Sequence, residues 1–270
     1  IDDMPCHALK LSDPFFDTLR ESYNEFDDWF IRKCSRGGRR VWKAGEGNVI
    51  HAICIYKDEI DPIINADNQG LRGKVLKLCT FKVVKRGYKI GELLLKQAFN
   101  YAADNNIDYL YVTVESGKHE MLEALFLDFG FYLHGIDSKG RDLVFVKHFP
   151  RNFPIDDLPP LEYAIKYFPL SKITTNKVYI VPIQPRFHET LFAELKSQGD
   201  FFEGSQSSAG NAIKQAYLCK SNTETIKAGD ILFFYRTKDE ISITTYGIVD
   251  QFHIESDPEK IYQWVSKRTV

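Results

Sequence analysis

The stretch Val75 to Gly91, VLKLCTFKVVKRGYKIG, constrains this chain most. Val75, Leu76, Leu78, Thr80, Phe81, Val83 and Val84 are apolar, aromatic or β-branched, which predicts a strand over 75–84. Arg86-Gly87-Tyr88-Lys89-Ile90-Gly91 follows as a short basic loop with two glycines. The period then changes to 3.6, with Leu94, Leu95, Ala98, Phe99 and Ala102 on one helical face. A strand, a basic loop and a helix in this order have the geometry of an anion site, and also that of an ordinary β–α turn in which glycine is punctuation. Amides at the helix start are unpaired, the helix dipole adds positive charge, and glycine lets a phosphate approach the backbone.

Around this stretch the pattern alternates. Asp13-Pro14 reads as an N-cap followed by proline at the first helical position. A second short helix, ended by Gly37-Gly38, is expected over 27–34. Residues 41–44 and 48–56 read as paired strands and the polar residues 57–74 as a loop. Tyr109 to Glu115 is a nearly continuous apolar strand, of the kind buried on both faces. Glu120 to Phe129 is expected to be an amphipathic helix with Met121, Leu122, Leu125 and Phe129 inward. Strands at 131–134 and 142–148 follow.

The prolines between Pro150 and Pro160 mark a linker, with a short helix expected at Leu161–Tyr167. Beyond it come a strand at 177–183, helices at 187–196 and 212–219, strands at 231–235 and 242–252, and a last helix at 259–266. Thr269-Val270 is strand-like. The expected organisation is therefore a domain over 1–149, a Pro-rich linker over 150–170 and a second domain over 171–270.

Of 270 residues, 44% are hydrophobic and 14% aromatic, enough for folded cores rather than disorder. A net charge of −2 argues against a protein that coats nucleic acid by bulk charge. The five cysteines have no CxxC or CxxH spacing, so no metal site is expected, and reduced thiols point to the cytoplasm. No run of 18 apolar residues suggests a membrane span.

Residues 75–131 resemble the GNAT acetyltransferase family, and the resemblance extends over about 10–149. Arg86 and Gly91 match the ends of that family's R/Q-x-x-G-x-G/A loop, with Lys89 in place of the inner glycine. His119-Glu-Met-Leu-Glu-Ala124-Leu125-Phe126-Leu-Asp-Phe-Gly130-Phe131 is similar to its N-x-x-A-x-x-L-Y-x-x-x-G-F. The resemblance implies an α/β fold whose mixed sheet splays between the strands at 75–84 and 109–115, with acetyl-CoA in the splay. It implies cofactor contacts from Phe81, Val83, Arg86, Gly87, Tyr88, Lys89, Ile90, Gly91 and Phe126. The family's frequent tyrosine acid falls on Phe126 and its asparagine on His119. Glu115, at its strand end, is the leading candidate base, with His119 beside it and Asp58 and Glu59 as further carboxylates.

The opening Asp13-Pro14-Phe15-Phe16, Tyr23 and Phe26-Asp27-Asp28-Trp29-Phe30 resembles GNAT halves that follow a PIN-type nuclease in some bacterial proteins. That resemblance implies a nuclease domain before Ile1. Ile226 to Arg236 and Thr245 to Val249 are similar to the ASCH and EVE members of the PUA-like proteins, which implies a small α+β barrel. Lys214, Tyr217, Tyr235 and Arg236 would be its RNA contacts, by stacking and phosphate pairing. The expected function is acetyl-CoA-dependent N-acetylation of an amine on an RNA-linked substrate such as tRNA. A nucleic-acid reader carrying CoA as ligand or relic, and a small-molecule amine acetyltransferase, are the alternatives.

Overall fold

The computed structural model describes residues 1–173, 177–192, 195, 211–221, 223–265 and 268. Two compact units emerge, one of Ile1–Arg86 and Leu94–Asn152, the other of Gly87–Leu93 and Phe153–Val270.

The first unit holds a seven-stranded sheet: β1 (Asp2–Pro5), β2 (Arg40–Ala44), β3 (Ala52–Ile60), β4 (Lys74–Val83), β5 (Tyr109–Glu115), β6 (Tyr132–Ile136) and β7 (Asp142–His148). Its order is β1-β2-β3-β4-β5-β7-β6. Only β4 and β5 run parallel; every other pair is antiparallel. The β4–β5 connection carries α3 (Ile90–Asp104), as a parallel crossover requires.

Sheet pleating sends alternate residues to two cores. On one face Trp42 stacks on Tyr56, with ring centroids 4.0 Å apart, and Tyr101 of α3 meets both rings edge-on. Leu76, Leu78, Leu94, Leu95 and Ala98 are fully buried. On the other face Val41, Ile53 and Ile55 lie under Phe16, Phe26 and Phe30, contributed by α1 (Asp17–Ser22), α2 (Phe26–Trp29) and their flanking turns. Asp13 starts that segment as expected, its Oδ1 accepting from the Phe15 amide at 2.8 Å.

Two expectations fail here. Residues 57–60 continue β3 instead of forming a loop, because their polar side chains find partners. Asp58 accepts from the Tyr101 hydroxyl at 3.1 Å and Glu59 from the Tyr111 hydroxyl at 2.6 Å. Met121 of α4 (Glu120–Asp128) points outward and is exposed, while Phe126 and Phe129 carry the buried face.

In the second unit, β8 (Val178–Ile183), β9 (Ile231–Arg236) and β10 (Ser242–Ile248) form a three-stranded sheet. Helices α5 (Pro160–Tyr167), α6 (Pro185–Leu191) and α7 (Pro258–Val265) complete the regular elements described. Among the described residues the expected barrel does not close: β8 and β9 run parallel, and the strand expected to reach 252 stops at Ile248. Residues 212–219 are extended or bent, not helical. The expected strand end at Thr269-Val270 lies outside the described residues. No described helix is long and apolar enough to cross a membrane.

Candidate functional site

β4 and β5 pair only from Val75–Tyr109 to Leu78–Val112. Beyond that point β4 continues to Val83 against β3 alone, and β5 continues to Glu115 against β7 alone. The cause is local. Tyr56 of β3 opposes Leu78 and Ile55 opposes Thr80, so Cys79 is an extra residue on β4. Such a bulge bends its strand and raises its twist, and this one comes directly after the last paired residue. The result is a notch in mid-sheet whose β4 edge is unpaired among the described residues, a row of peptide groups suited to an extended ligand.

β4 runs on into the basic loop. Gly87 has φ 83° and Lys89 φ 55°, so the chain turns twice through left-handed backbone before α3 begins at Ile90. Lys89 thus adopts, without glycine, the conformation that the inner motif glycine would favour. Arg86 is exposed and makes no ion pair among the described residues. Tyr88 is exposed, and its carbonyl accepts from the Asn211 amide at 3.0 Å. Ile90 is buried. The Lys89 amine lies 3.6 Å from Glu92.

Phe81 and Phe126 come together edge-on, with centroids 5.4 Å apart. Phe126 is fully buried and also meets Phe131 and Phe145, so it is a core ring that fills the base of α4. Glu115 is mostly buried at the end of β5. Its Oε1 pairs with Lys118 at 2.7 Å, while its buried Oε2 has no partner among the described residues. His119 is exposed just before α4. Its carbonyl accepts from the Leu122 and Glu123 amides, and its ring makes no cap.

Asp142, Arg141 and Tyr23, which the sequence reading did not name as site residues, lie around Glu115. Asp142 stands opposite it across β5 and β7 and pairs with Arg141 at 3.3 Å. The Arg141 guanidinium lies over the Tyr23 ring, 4.7 Å from its centroid. Burial, then the charges of Asp142 and Glu115, push the Tyr23 hydroxyl up to about 12. It is therefore protonated at neutral pH. On the same sheet face, Glu59 holds both the Tyr111 hydroxyl and the Lys57 amine. Burial would raise Glu59, but these two hydrogen bonds together with the charges of Lys57 and Lys77 outweigh it and hold the carboxyl below its usual value.

In the second unit the four expected RNA contacts do not converge. Tyr235 and Arg236 are consecutive strand residues and face opposite sides of the sheet. Arg236 is already compensated, with Glu189 at 2.9 Å and Asp239 and Glu240 beside it. Its Nη1 also donates to His188 Nδ1 at 3.2 Å, which leaves His188 Nε2 as the donor to the Thr244 hydroxyl. Tyr217 donates to the Pro182 carbonyl and packs edge-on against Phe234. Lys214 pairs with Asp250 at 3.1 Å.

The first unit is a mixed α/β sheet flanked by helices, with a single parallel pair that parts after Leu78 and Val112. Among solved structures, the chain is similar to an IAA acetyltransferase from Bacillus cereus (17% identity, 54% of this chain and 97% of that one, TM-score 0.36). It is similar to a GNAT family acetyltransferase from Elizabethkingia anophelis solved with acetyl-CoA bound (14% identity, 54% and 97%, TM-score 0.36). An aminoglycoside 6'-acetyltransferase type Ii matches at 15% identity over 56% of this chain and 100% of its own, with TM-score 0.36. No protein-family model and no curated protein matches the chain.

Proposed function

We propose that the chain is an acetyl-CoA-dependent N-acetyltransferase acting on an amine. The observation that carries this is the parting of β4 from β5 after Leu78 and Val112. The residues present fit a CoA-type ligand. The edge of β4 left unpaired among the described residues, including Phe81 and Val83, matches the amide groups of a pantetheine arm. In the first unit Arg86, which makes no ion pair among the described residues, is a cation suited to a pyrophosphate; in the second, left-handed Gly87 and Lys89 and the amide-rich start of α3 offer backbone donors to one.

Bound there, the thioester supplies an activated acyl carbon. The amine nitrogen attacks that carbon, the C–S bond breaks, and the proton lost from nitrogen must leave. Glu115, with one buried carboxylate oxygen unpartnered among the described residues, is the group suited to take it. Phe126 cannot protonate the departing sulfur. Tyr23 is the hydroxyl of the same sheet end that stays protonated, and it is the candidate donor.

An RNA-linked amine, for instance on tRNA, is the narrower reading. The feature that supports it is the second unit's exposed sheet face, where Tyr246 lies beside Phe233 with centroids 6.0 Å apart, rings on which bases can stack. The compensated Arg236 and Lys214 supply no free cation to that surface, and a small-molecule amine needs none.

The test is release of free thiol from acetyl-CoA against a panel of aminoacyl-tRNA, free diamines and amine-bearing peptides. Thiol release that depends on one of these amines supports the proposal and names the acceptor. CoA binding with no amine-dependent release from any of them contradicts the enzymatic reading in favour of a CoA-binding module.

A further inference from the structure

Glu92 sits in the first turn of α3, one residue after the basic loop ends, and its carboxylate is 5% exposed. A carboxylate there ordinarily caps its own helix and settles in the positive end of the helix dipole. An anionic ligand would compete with it for the same potential. Within the second unit, Glu92 is instead enclosed by donors. Arg268 holds it with both terminal nitrogens, at 2.8 and 3.1 Å. The Ile213 amide donates at 2.9 Å and the Lys214 amide at 3.4 Å. Arg268 is itself fixed, donating to the Lys214 carbonyl at 2.8 Å and accepting from the Ala216 amide at 2.8 Å.

We infer that Arg268 is a positioning residue for the phosphate loop: by neutralising Glu92 it leaves the start of α3 free to receive the pyrophosphate of CoA. The inference rests on the CoA reading given above. The geometry separates it from simple bracing. A bidentate guanidinium cancels one full charge at the helix start; its loss leaves the buried carboxylate facing an incoming anion with, among the described residues, only the more distant Lys89 amine, 3.6 Å away, as counter-charge. Charge, not contact, is then what weakens binding, and removing the carboxylate as well must restore it.

The experiment is calorimetric titration of CoA into the full chain, wild type and three variants. Arg268→Ala is expected to bind at least about ten-fold more weakly. Adding Glu92→Gln to Arg268→Ala is expected to recover most of that loss. Glu92→Gln alone, which leaves Arg268 without its counter-charge, is expected to bind CoA as tightly as wild type or tighter. It carries the test should Arg268→Ala fail to fold. Wild-type affinity in Arg268→Ala, a double variant no tighter than Arg268→Ala, or weakened binding in Glu92→Gln each overturns the inference while CoA binding stands. A wild type that takes no CoA overturns the CoA reading itself, and the inference with it.

Discussion

Leu78 and Val112 are the last residues joined across β4 and β5, and the bulged Cys79 follows Leu78 at once. One extra residue in one strand converts a continuous sheet into a sheet with a slot. It also leaves Glu115 at the open end of β5, paired on one side only, by β7.

Replacing Glu115 by glutamine removes the candidate base while keeping its shape. The turnover number for amine acetylation is expected to fall by about 10²–10⁴-fold, with CoA affinity unchanged. Steady-state kinetics beside CoA calorimetry separates the two. Unaltered turnover would assign proton removal to another group.

Restoring a tyrosine at position 126 is expected to harm rather than help. Phe126 is fully buried among the rings of Phe81, Phe131 and Phe145, so a hydroxyl added there would be desolvated beside apolar rings. Phe126→Tyr should cost about 1–3 kcal/mol in denaturant unfolding, with no gain in rate. A faster and equally stable variant would show that the ring reaches the reacting atoms.

Lys89 at φ 55° carries left-handed strain of about 1 kcal/mol that glycine would relieve. Glycine also loosens the unfolded chain by a similar amount, so Lys89→Gly should change stability by less than about 1 kcal/mol. Lys89→Val, β-branched, should be clearly destabilised. Equal melting of the two variants would argue that the turn relaxes out of this conformation.

Lys147 is fully buried beside the Phe99 ring, and burial pulls its amine down to about 7. The unfolded amine keeps its proton up to about 10.5, the ordinary value. Between these limits the unfolded state binds more protons, so this lysine makes stability rise with pH, by at most about 1.4 kcal/mol per unit. Below about 7 the penalty is present in full. Unfolding free energies measured at pH 6.5 and pH 9 should show this rise in wild type and lose it in Lys147→Met. A pH dependence that survives in Lys147→Met would place its origin elsewhere.

Much of the first unit was legible because its signals are local. The strand–loop–helix order at 74–104, the apolar run Tyr109–Val114 and the Gly130-Phe131 closure all follow from period and punctuation. What escaped depends on partners far along the chain. The bulge at Cys79 is a matter of register against β3, which no window of β4 contains. Strand residues 57–60 look like a loop until Tyr101 and Tyr111 are placed to satisfy Asp58 and Glu59. Glu92 reads as an ordinary first-turn acid until Arg268 reaches it. Tyr235 and Arg236 differ: the two-residue period of a strand already places them on opposite faces, and that signal was there to be used.

The central claim is that the chain holds CoA, and calorimetric titration of acetyl-CoA into wild type and Arg86→Ala tests it most directly. Saturable binding that weakens by about 1–3 kcal/mol in Arg86→Ala is the predicted result, as a charge-assisted phosphate contact requires. No binding by the wild type at about 1 mM acetyl-CoA would contradict it.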